Sequence, residues 1–244
     1  MRINELIVYV QVNKTFTKEY MPDNIRNLIN TALCRDDYYL EQHLKGGVRI
    51  PYVFDYLKPT DNLKTYSKDK VYSFRLRSAD LKFLEVVKYH LKNNQEIGIN
   101  RTNLTLITSE IRLINMRDEN LKDFKLLTPV QIRYEKGSKK AITDVEDPRI
   151  LNLLNRSIIS KYNAYYGKDL PSDLEVFSNY QPKEGFVTIH TKGFKNMGIL
   201  GYLTRGEDPR VLEVLEYCVN AGIGAGSSFS GMGFLNTKGV SRTC

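Results

Sequence analysis

Residues 220–234 have the sequence Asn-Ala-Gly-Ile-Gly-Ala-Gly-Ser-Ser-Phe-Ser-Gly-Met-Gly-Phe, and five of the protein's 16 glycines lie between Gly222 and Gly233. Glycine allows positive φ angles and the close approach of another backbone segment. Successive N–H groups in such a segment can bind phosphate oxygens. A helical apolar pattern precedes this glycine segment and a strand-like pattern follows it. A dinucleotide fingerprint instead follows a strand and opens a helix, and a P-loop needs Gly-Lys-Ser/Thr, so both motifs are excluded.

The helix before the glycine segment is predicted from Asp208-Pro209-Arg210-Val211-Leu212, and a second helix is predicted from Asp147-Pro148-Arg149-Ile150-Leu151. Asp is a favoured helix cap and Pro is favoured at the first helical position. The apolar stripe of the later helix consists of Val211, Leu212, Leu215, Cys218 and Val219. Alternating or apolar runs predict strands at residues 126–134, 186–190, 197–203 and 232–237.

The first half of the chain has the same order of predicted elements. Strands are predicted at residues 1–12, 48–57, 71–77 and 104–114. A helix is predicted from Pro22, a second one over residues 79–93 with Ser78 as its cap, and a loop over residues 58–70.

Two successive β-α-β-β-α-β units predict an α+β fold of two tandem ferredoxin-like (RRM-like) domains. We expect the domains to comprise residues 1–122 and 123–244, with the boundary in the charged stretch 117–126. Each sheet would have helices on one face and an open face that could meet RNA. Neither half has the aromatic RNP signature, so no motif supports base stacking on a sheet.

The composition favours an anionic partner. The chain has 36 Lys and Arg against 28 Asp and Glu, a net charge of +8 and a sequence pI near 9.2, as nucleic-acid-binding and membrane-surface proteins often do. No apolar run approaches the ~20 residues that span a bilayer. The odd number of cysteines, without metal-type spacing, indicates a reducing cytoplasm. Cys34 and Cys218 lie on apolar stripes and are predicted to be core thiols.

The segment Gly198-Ile199-Leu200-Gly201-Tyr202, the Asp-Pro helix and the glycine segment together resemble the CRISPR repeat-processing endoribonucleases. These form the sixth CRISPR-associated protein family, within the superfamily of repeat-associated proteins (RAMP). The resemblance implies tandem ferredoxin-like domains, a glycine-rich loop before the last strand and metal-independent cleavage of precursor CRISPR RNA, without a cofactor. Here six residues separate Gly224 from Gly231, one more than in the family. Serines replace the basic residues that the family loop often has, so backbone and hydroxyl contacts to phosphate are expected.

Metal-independent RNA cleavage uses the neighbouring 2′-OH as nucleophile and needs groups that accept and donate protons, for which histidine is suited. Of the three histidines, His90 lies on the apolar face of a predicted helix, and His190 alternates with core residues in a predicted strand. His43 is predicted in a basic loop after the first helix, beside Gly46-Gly47. The resembled family has its catalytic histidine at the end of that helix or in the loop after it. His43 is therefore the predicted general acid/base; a surface histidine on a basic loop is the alternative.

The resemblance implies helper residues near this histidine. Tyr39, or its neighbour Tyr38, would orient the 2′-OH or position the phosphate, although either could simply pack as an aromatic side chain. Lys45 or Arg49 would stabilise the phosphorane. The predicted RNA-binding residues are Gly222, Gly224, Gly226, Ser227, Ser228, Gly231, Gly233, Lys192 and Lys195, and no metal ligands are predicted.

Three classes of function follow from the sequence. The leading one is an endoribonuclease acting on precursor CRISPR RNA repeats. The alternative is a noncatalytic RNA-binding subunit of a CRISPR ribonucleoprotein complex. A two-domain metabolic enzyme that binds a phosphorylated ligand is the third. The expected partner is the repeat RNA, with a CRISPR effector complex as a further candidate and no membrane; monomer and homodimer both stay open.

Overall fold

The computed structural model describes residues 1–45, 50–59, 64–93, 102–134, 140–191, 194–225 and 230–237, with only the secondary structure for residues 43–45, 184, 190, 191 and 194. The strands are β1 (Arg2–Val12), β2 (Phe16–Thr17), β3 (Tyr52–Phe54), β4 (Thr65–Tyr66), β5 (Val71–Ser78), β6 (Leu104–Asn115), β7 (Asp123–Leu126), β8 (Phe177–Thr191), β9 (Phe194–Arg205) and β10 (Leu235–Thr237). The helices are α1 (Met21–Leu33), α2 (Asp37–Lys45), α3 (Leu81–Asn93), α4 (Ile150–Tyr166) and α5 (Val211–Ala221), with 3₁₀ turns at Lys18–Tyr20 and Asp118–Asn120. Within these ranges, no helix is both long and apolar enough to cross a membrane.

The first domain has an antiparallel sheet with the strand order β3-β5-β1-β6. This is the order of a ferredoxin-like β-α-β-β-α-β unit. Alternate residues of each strand lie on one face. Leu6 and Val8 of β1 and Phe74 of β5 therefore pack in one core with Ile25 of α1 and Phe83 of α3.

The second domain repeats this arrangement, with the antiparallel strand order β10-β7-β9-β8. Phe124 and Leu203, which are paired across β7 and β9, pack with Leu154 of α4 and Leu215 of α5. The prediction of two tandem ferredoxin-like domains is confirmed. The long β8–β9 hairpin contains the two shorter strands that were predicted there.

A small sheet of β2 and β4 is added to the first domain. The sequence predicts residues 58–70 as a loop, but Phe16 and Thr17 pair with Tyr66 and Thr65. Aromatic packing explains the difference, because the rings of Phe16, Tyr66 and Tyr72 are all buried and that of Tyr66 contacts those of Phe16 and Tyr72 at 5.3 and 5.1 Å. The Phe16–Tyr66 contact spans 50 residues, so no local pattern predicts it.

Two strands of the second domain differ from prediction. A strand is predicted at residues 126–134, but β7 lies earlier, from Asp123 to Leu126. Beyond it, Val130 and Gln131 form only isolated bridges. Pro129 lacks the N–H that a continuous ladder requires. β10 begins at Leu235 rather than residue 232, because Gly231 and Gly233 have positive φ angles of 66° and 76°, outside the strand region.

Three smaller predictions also need correction. β3 is limited to Tyr52–Phe54, since Pro51 has no N–H to donate before it; residues 48 and 49 of the predicted strand lie outside the described residues. α3 begins at Leu81, although the Ser78 hydroxyl does accept a hydrogen bond from the Asp80 N–H at 3.0 Å. Cys34 is exposed at the end of α1, whereas Cys218 is buried as predicted.

The two domains meet through a buried polar junction. The guanidinium of Arg77, on β5, donates to Glu5 Oε2 and to the carbonyl of Leu235, both at 2.7 Å. Its carbon also lies 4.4 Å from the centre of the Phe234 ring. Asn4 N–H donates to Asn220 Oδ1 at 2.8 Å. The end of the glycine segment is thereby fixed against the first domain.

Candidate functional site

The candidate catalytic histidine belongs to α2. The sequence places His43 in a loop after the first helix, but a second helix forms over Asp37–Lys45 and includes it. Asp36 starts this helix, since its carboxylate accepts the Tyr39 N–H at 3.1 Å and its carbonyl accepts the Leu40 N–H at 2.9 Å. A carboxylate at this position caps a helix and complements its dipole. His43 therefore lies in the last turn of a capped helix.

Tyr39 holds α2 against the first domain. Its side chain is 1% exposed, its hydroxyl donates to Asp80 Oδ2 at 2.7 Å, and its ring meets that of Phe83 edge-on at 5.6 Å. Burial and the hydrogen bond to Asp80 raise the pKa of Tyr39 far above its usual value. The predicted direct role for Tyr39 in catalysis is not supported, because its hydroxyl is buried and engaged.

Tyr38 is the neighbouring tyrosine that reaches solvent. It is 55% exposed, and Lys82 Nζ lies 5.6 Å from the centre of its ring. A cation over an exposed ring contributes about 0.5–1 kcal/mol. An exposed aromatic ring of α2, the helix that contains His43, therefore lies beside a cationic side chain of α3.

Tyrosines of the second domain approach the same region. Tyr165, at the end of α4, is half-buried, and its pKa is raised to about 12 by burial and by the nearby charges of Asp80, Tyr166 and Tyr38. Its ring contacts those of Tyr166 and Tyr217 at 4.7 and 5.8 Å. The Tyr165 hydroxyl is thus close enough to Asp80 and Tyr38 for their charges to act on it.

Several N–H groups of the glycine segment donate hydrogen bonds within the protein. Ile223 N–H donates to Gly233 O at 3.1 Å, Ala225 N–H to Gln131 O at 2.8 Å, and Gly233 N–H to Pro129 O at 2.7 Å. Thr128 joins the far end, because its hydroxyl donates to Gly231 O and accepts the Phe234 N–H. Both ends of the segment are therefore tied to residues 128–131.

Several glycines of this segment are required by close packing. A Cβ at Gly233 would lie 2.0 Å from Ile223 O, and one at Gly231 would lie 2.5 Å from Phe54 O in the first domain. Gly222, Gly224, Gly231 and Gly233 all have positive φ angles. These positions shape the backbone, whatever the segment binds.

Lys161 supplies a positive charge at the glycine segment. Its Nζ, on α4, donates to the carbonyl of Gly224. The segment itself has serines where basic residues were expected. The hydrogen bond from Lys161 to Gly224 joins residues 63 positions apart in the chain. No local pattern could have pointed to Lys161, because its role depends on how α4 packs.

Comparison with known proteins identifies the family. The sequence profile described as CRISPR associated protein Cas6, C-terminal, matches residues 112–237, more than half of the chain. The chain belongs to the Cas6 family. The resemblance found in the sequence is thereby confirmed, and the family is one of CRISPR repeat-processing proteins. Among curated proteins no sequence matches.

Solved Cas6 structures share the fold over nearly the whole chain. One described as CRISPR associated protein Cas6 has a TM-score of 0.67 at 12% identity and covers 97% of this chain and 99% of its own. A Cas6-related protein from Pyrococcus furiosus has a TM-score of 0.67 at 12% identity, with 99% and 100% covered. A Cas6 product complex has a TM-score of 0.65 at 16% identity, with 96% and 99% covered. At these identities the likeness concerns the fold.

The structure describes only some of the other predicted residues of this Cas6 family protein. Lys195 is exposed on β9, opposite His190 in the hairpin register. His90 is half-buried on α3, with its ring 5.1 Å from that of Tyr89. The side chains of His43 and Lys45 are not among those described. The predicted residues that lie wholly outside the described ranges are Arg49, Lys192, Gly226, Ser227 and Ser228.

Proposed function

We propose that this Cas6 family protein is a metal-independent endoribonuclease that cleaves precursor CRISPR RNA within its repeats to give mature guide RNAs. The 2′-OH next to the scissile phosphate attacks, and the products have a 2′,3′-cyclic phosphate or 3′-phosphate and a 5′-OH. One observation carries the proposal: His43 lies in the last turn of α2, which the buried Tyr39–Asp80 hydrogen bond fixes to the first domain.

His43 is the proposed general acid/base. Histidine at an unperturbed pKa of about 6.5 can both accept and donate protons near neutral pH, and such transfer contributes about 10²–10⁴-fold. Lys45 and Arg49 follow within six residues and are proposed to stabilise the charge that develops on the phosphorane. Charge stabilisation of this kind is often the largest contribution to catalysis.

Tyr38 replaces Tyr39 as the proposed aromatic contact to RNA. Its exposed ring beside Lys82 offers a stacking face and a cation, which are the features that bind unpaired bases and phosphates. Tyr39 is proposed to position α2 instead, through its bond to Asp80.

We propose that the two domains have different roles. Residues 1–122 form the domain with the catalytic helix, and residues 123–244 form the domain that binds RNA through the glycine segment. Lys161, at Gly224, supports the second assignment by adding positive charge where the segment begins. The bonded N–H groups at both ends favour contacts through the middle of the segment, where Ser227 and Ser228 lie in the sequence.

The reaction is tested with the repeat RNA of the cognate array in the presence of EDTA. Wild-type protein should cut this RNA once per repeat. An otherwise identical RNA with a 2′-deoxynucleotide on the 5′ side of the cut should bind equally well and stay uncut. Cleavage of the deoxy RNA would refute 2′-OH attack. Tight binding of the all-ribose repeat without cleavage would favour the noncatalytic RNA-binding subunit.

A further inference from the structure

A group of exposed lysines surrounds the small sheet of β2 and β4. We call it the basic platform; it consists of Lys14, Lys18, Lys64, Lys68 and Lys70. Residues 14–20 and 64–70, which contain these lysines, include only two acidic residues, Glu19 and Asp69. Among the described residues, the one ion pair formed by a platform lysine is that of Lys68 with Asp69, at 3.9 Å and largely exposed. Exposed pairs of this kind contribute little, so the platform keeps a clear excess of positive charge.

Backbone pairing brings these lysines onto one surface from two distant segments. Lys18 N–H donates to the Lys64 carbonyl at 3.0 Å, and the Lys70 carbonyl accepts the Val12 N–H at 3.0 Å. Lys68 N–H donates to Thr15 Oγ1 at 3.0 Å, next to Lys14. Since neighbouring strands lie about 5 Å apart, the backbones of the two segments that contain the five exposed lysines lie side by side.

The platform has a packed support. Beneath it, the buried rings of Phe16, Tyr66 and Tyr72 pack within the main core of the first domain, and the Tyr66 hydroxyl donates to Leu57 O. The lysines are therefore held on folded backbone, which reduces the entropy lost when they bind a partner.

The platform and the candidate catalytic helix lie at opposite ends of α1. The first platform segment, with Lys14 and Lys18, precedes Met21, where α1 begins, and α2 follows soon after Leu33, where α1 ends. The 13 residues of α1 extend about 20 Å at 1.5 Å per residue. One RNA strand could reach both places.

Acidic residues concentrate elsewhere. A groove of about 800 Å³ is lined by six carboxylates, among them Asp118 and Glu119, and by three basic side chains. Asp118 follows the end of β6, whereas the platform adjoins its start, because Asn13 N–H donates to Asn103 O. The 12 residues of β6 extend about 40 Å. The charge of the molecule is therefore segregated along this strand, which favours anion approach at the platform end.

We propose that the basic platform binds the phosphate backbone of the precursor RNA outside the cleavage site, before the start of α1, whereas the helix that contains His43 follows its end. The identity of the RNA rests on the proposed function. Lysine binds phosphate as a flexible point charge and does not read bases. The platform thus adds salt-dependent affinity for a long precursor without sequence preference, and it leaves the chemistry at His43 unchanged.

The test compares the variant K14Q/K18Q/K64Q with the matched control K92Q/K122Q/K168Q, which removes the same charge from three other exposed lysines. Binding of a precursor RNA with one repeat and both flanks is measured over a range of salt concentrations. Each phosphate contact to a single strand contributes about 0.7 to the slope of log K against log salt. The platform variant should lose about 2 from this slope, and the control should keep the wild-type slope. K14R/K18R/K64R should keep it as well.

A second RNA, trimmed to a few nucleotides on either side of the cut, should bind the wild type and the platform variant equally. Unchanged thermal unfolding of the variants shows that they are folded. A platform variant with the wild-type slope on the long RNA would overturn the proposal, as would a wild type that does not bind RNA. Because the readout is binding, a wild type that binds but does not cut would defeat the proposed catalysis alone.

Discussion

At the scale of single residues, the adjacent tyrosines Tyr38 and Tyr39 of α2 differ sharply in their exposure to solvent. Successive residues of a helix point about 100° apart, and here Tyr39 is 1% exposed while Tyr38 is 55% exposed. The sequence predicts that a tyrosine lies near His43, but it cannot say which of the two faces the core. That choice depends on Asp80, 41 residues further along the chain, which accepts the Tyr39 hydroxyl.

This difference predicts the behaviour of Tyr39→Phe. Loss of the hydrogen bond to Asp80 should lower the free energy of unfolding by about 1 kcal/mol. The cleavage rate should stay within about threefold of wild type, since a buried hydroxyl with a strongly raised pKa takes no part in proton transfer near neutral pH. Urea unfolding and single-turnover cleavage measure the two effects. A loss of 100-fold in rate with unchanged stability would show that Tyr39 acts in catalysis.

At the scale of elements, the two Asp-Pro-Arg sequences were predictable because their contacts are local. Asp147 Oδ1 accepts the Arg149 N–H at 2.9 Å and Asp208 Oδ1 accepts the Arg210 N–H at 2.9 Å, each two residues on. In both cases the arginine side chain also binds the same carboxylate, which lowers the pKa of each Asp to about 2. The helices themselves begin slightly later than predicted, at Ile150 and Val211.

The glycine segment was predictable in position but not in role. Its sequence indicates positive φ angles and a turn between α5 and β10, whereas Gly231 contacts residues more than 100 positions away, Thr128 and Phe54. Those contacts explain why the segment is rich in glycine even where it is not exposed.

Gly233→Ala tests this explanation against Gly167→Ala. Both glycines have positive φ angles, 76° and 63°, so each alanine costs about 1–2 kcal/mol from the left-handed backbone. Gly167 has nothing within 4 Å of the added Cβ, whereas at Gly233 the Cβ meets Ile223 O at 2.0 Å. G233A should therefore lower the free energy of unfolding by at least about 1 kcal/mol more than G167A. Equal losses would indicate that the close contact relaxes freely.

At the scale of the whole molecule, the order of elements and the tandem fold followed from periodicity, but the junction between domains did not. Arg77 looks like an ordinary polar residue of an alternating strand. It is nevertheless 0% exposed, because Glu5 and the carbonyl of Leu235 accept its hydrogen bonds from two other strands. The small β2–β4 sheet was not predicted either, because its strands pair segments that are far apart in sequence.

The junction predicts a large effect of Arg77→Met. Removing one partner of a buried ion pair leaves the other charge unpaired and costs about 3–5 kcal/mol. Arg112→Met is the matched control, because its pair with Glu110 is exposed and should contribute less than about 1 kcal/mol. The double variant E5M/R77M should recover part of the loss, since no buried charge remains. Urea unfolding that finds R77M and R112M equally stable would contradict the account of the junction.

The most direct measurement of the whole account is single-turnover cleavage of the repeat RNA in EDTA by wild type, His43→Ala and His90→Ala. Loss of the proposed general acid/base should lower the rate constant of H43A by about 10²–10⁴-fold, with RNA affinity nearly unchanged. H90A removes a half-buried histidine of α3 and should cleave like the wild type. Wild-type cleavage by H43A would contradict the central claim.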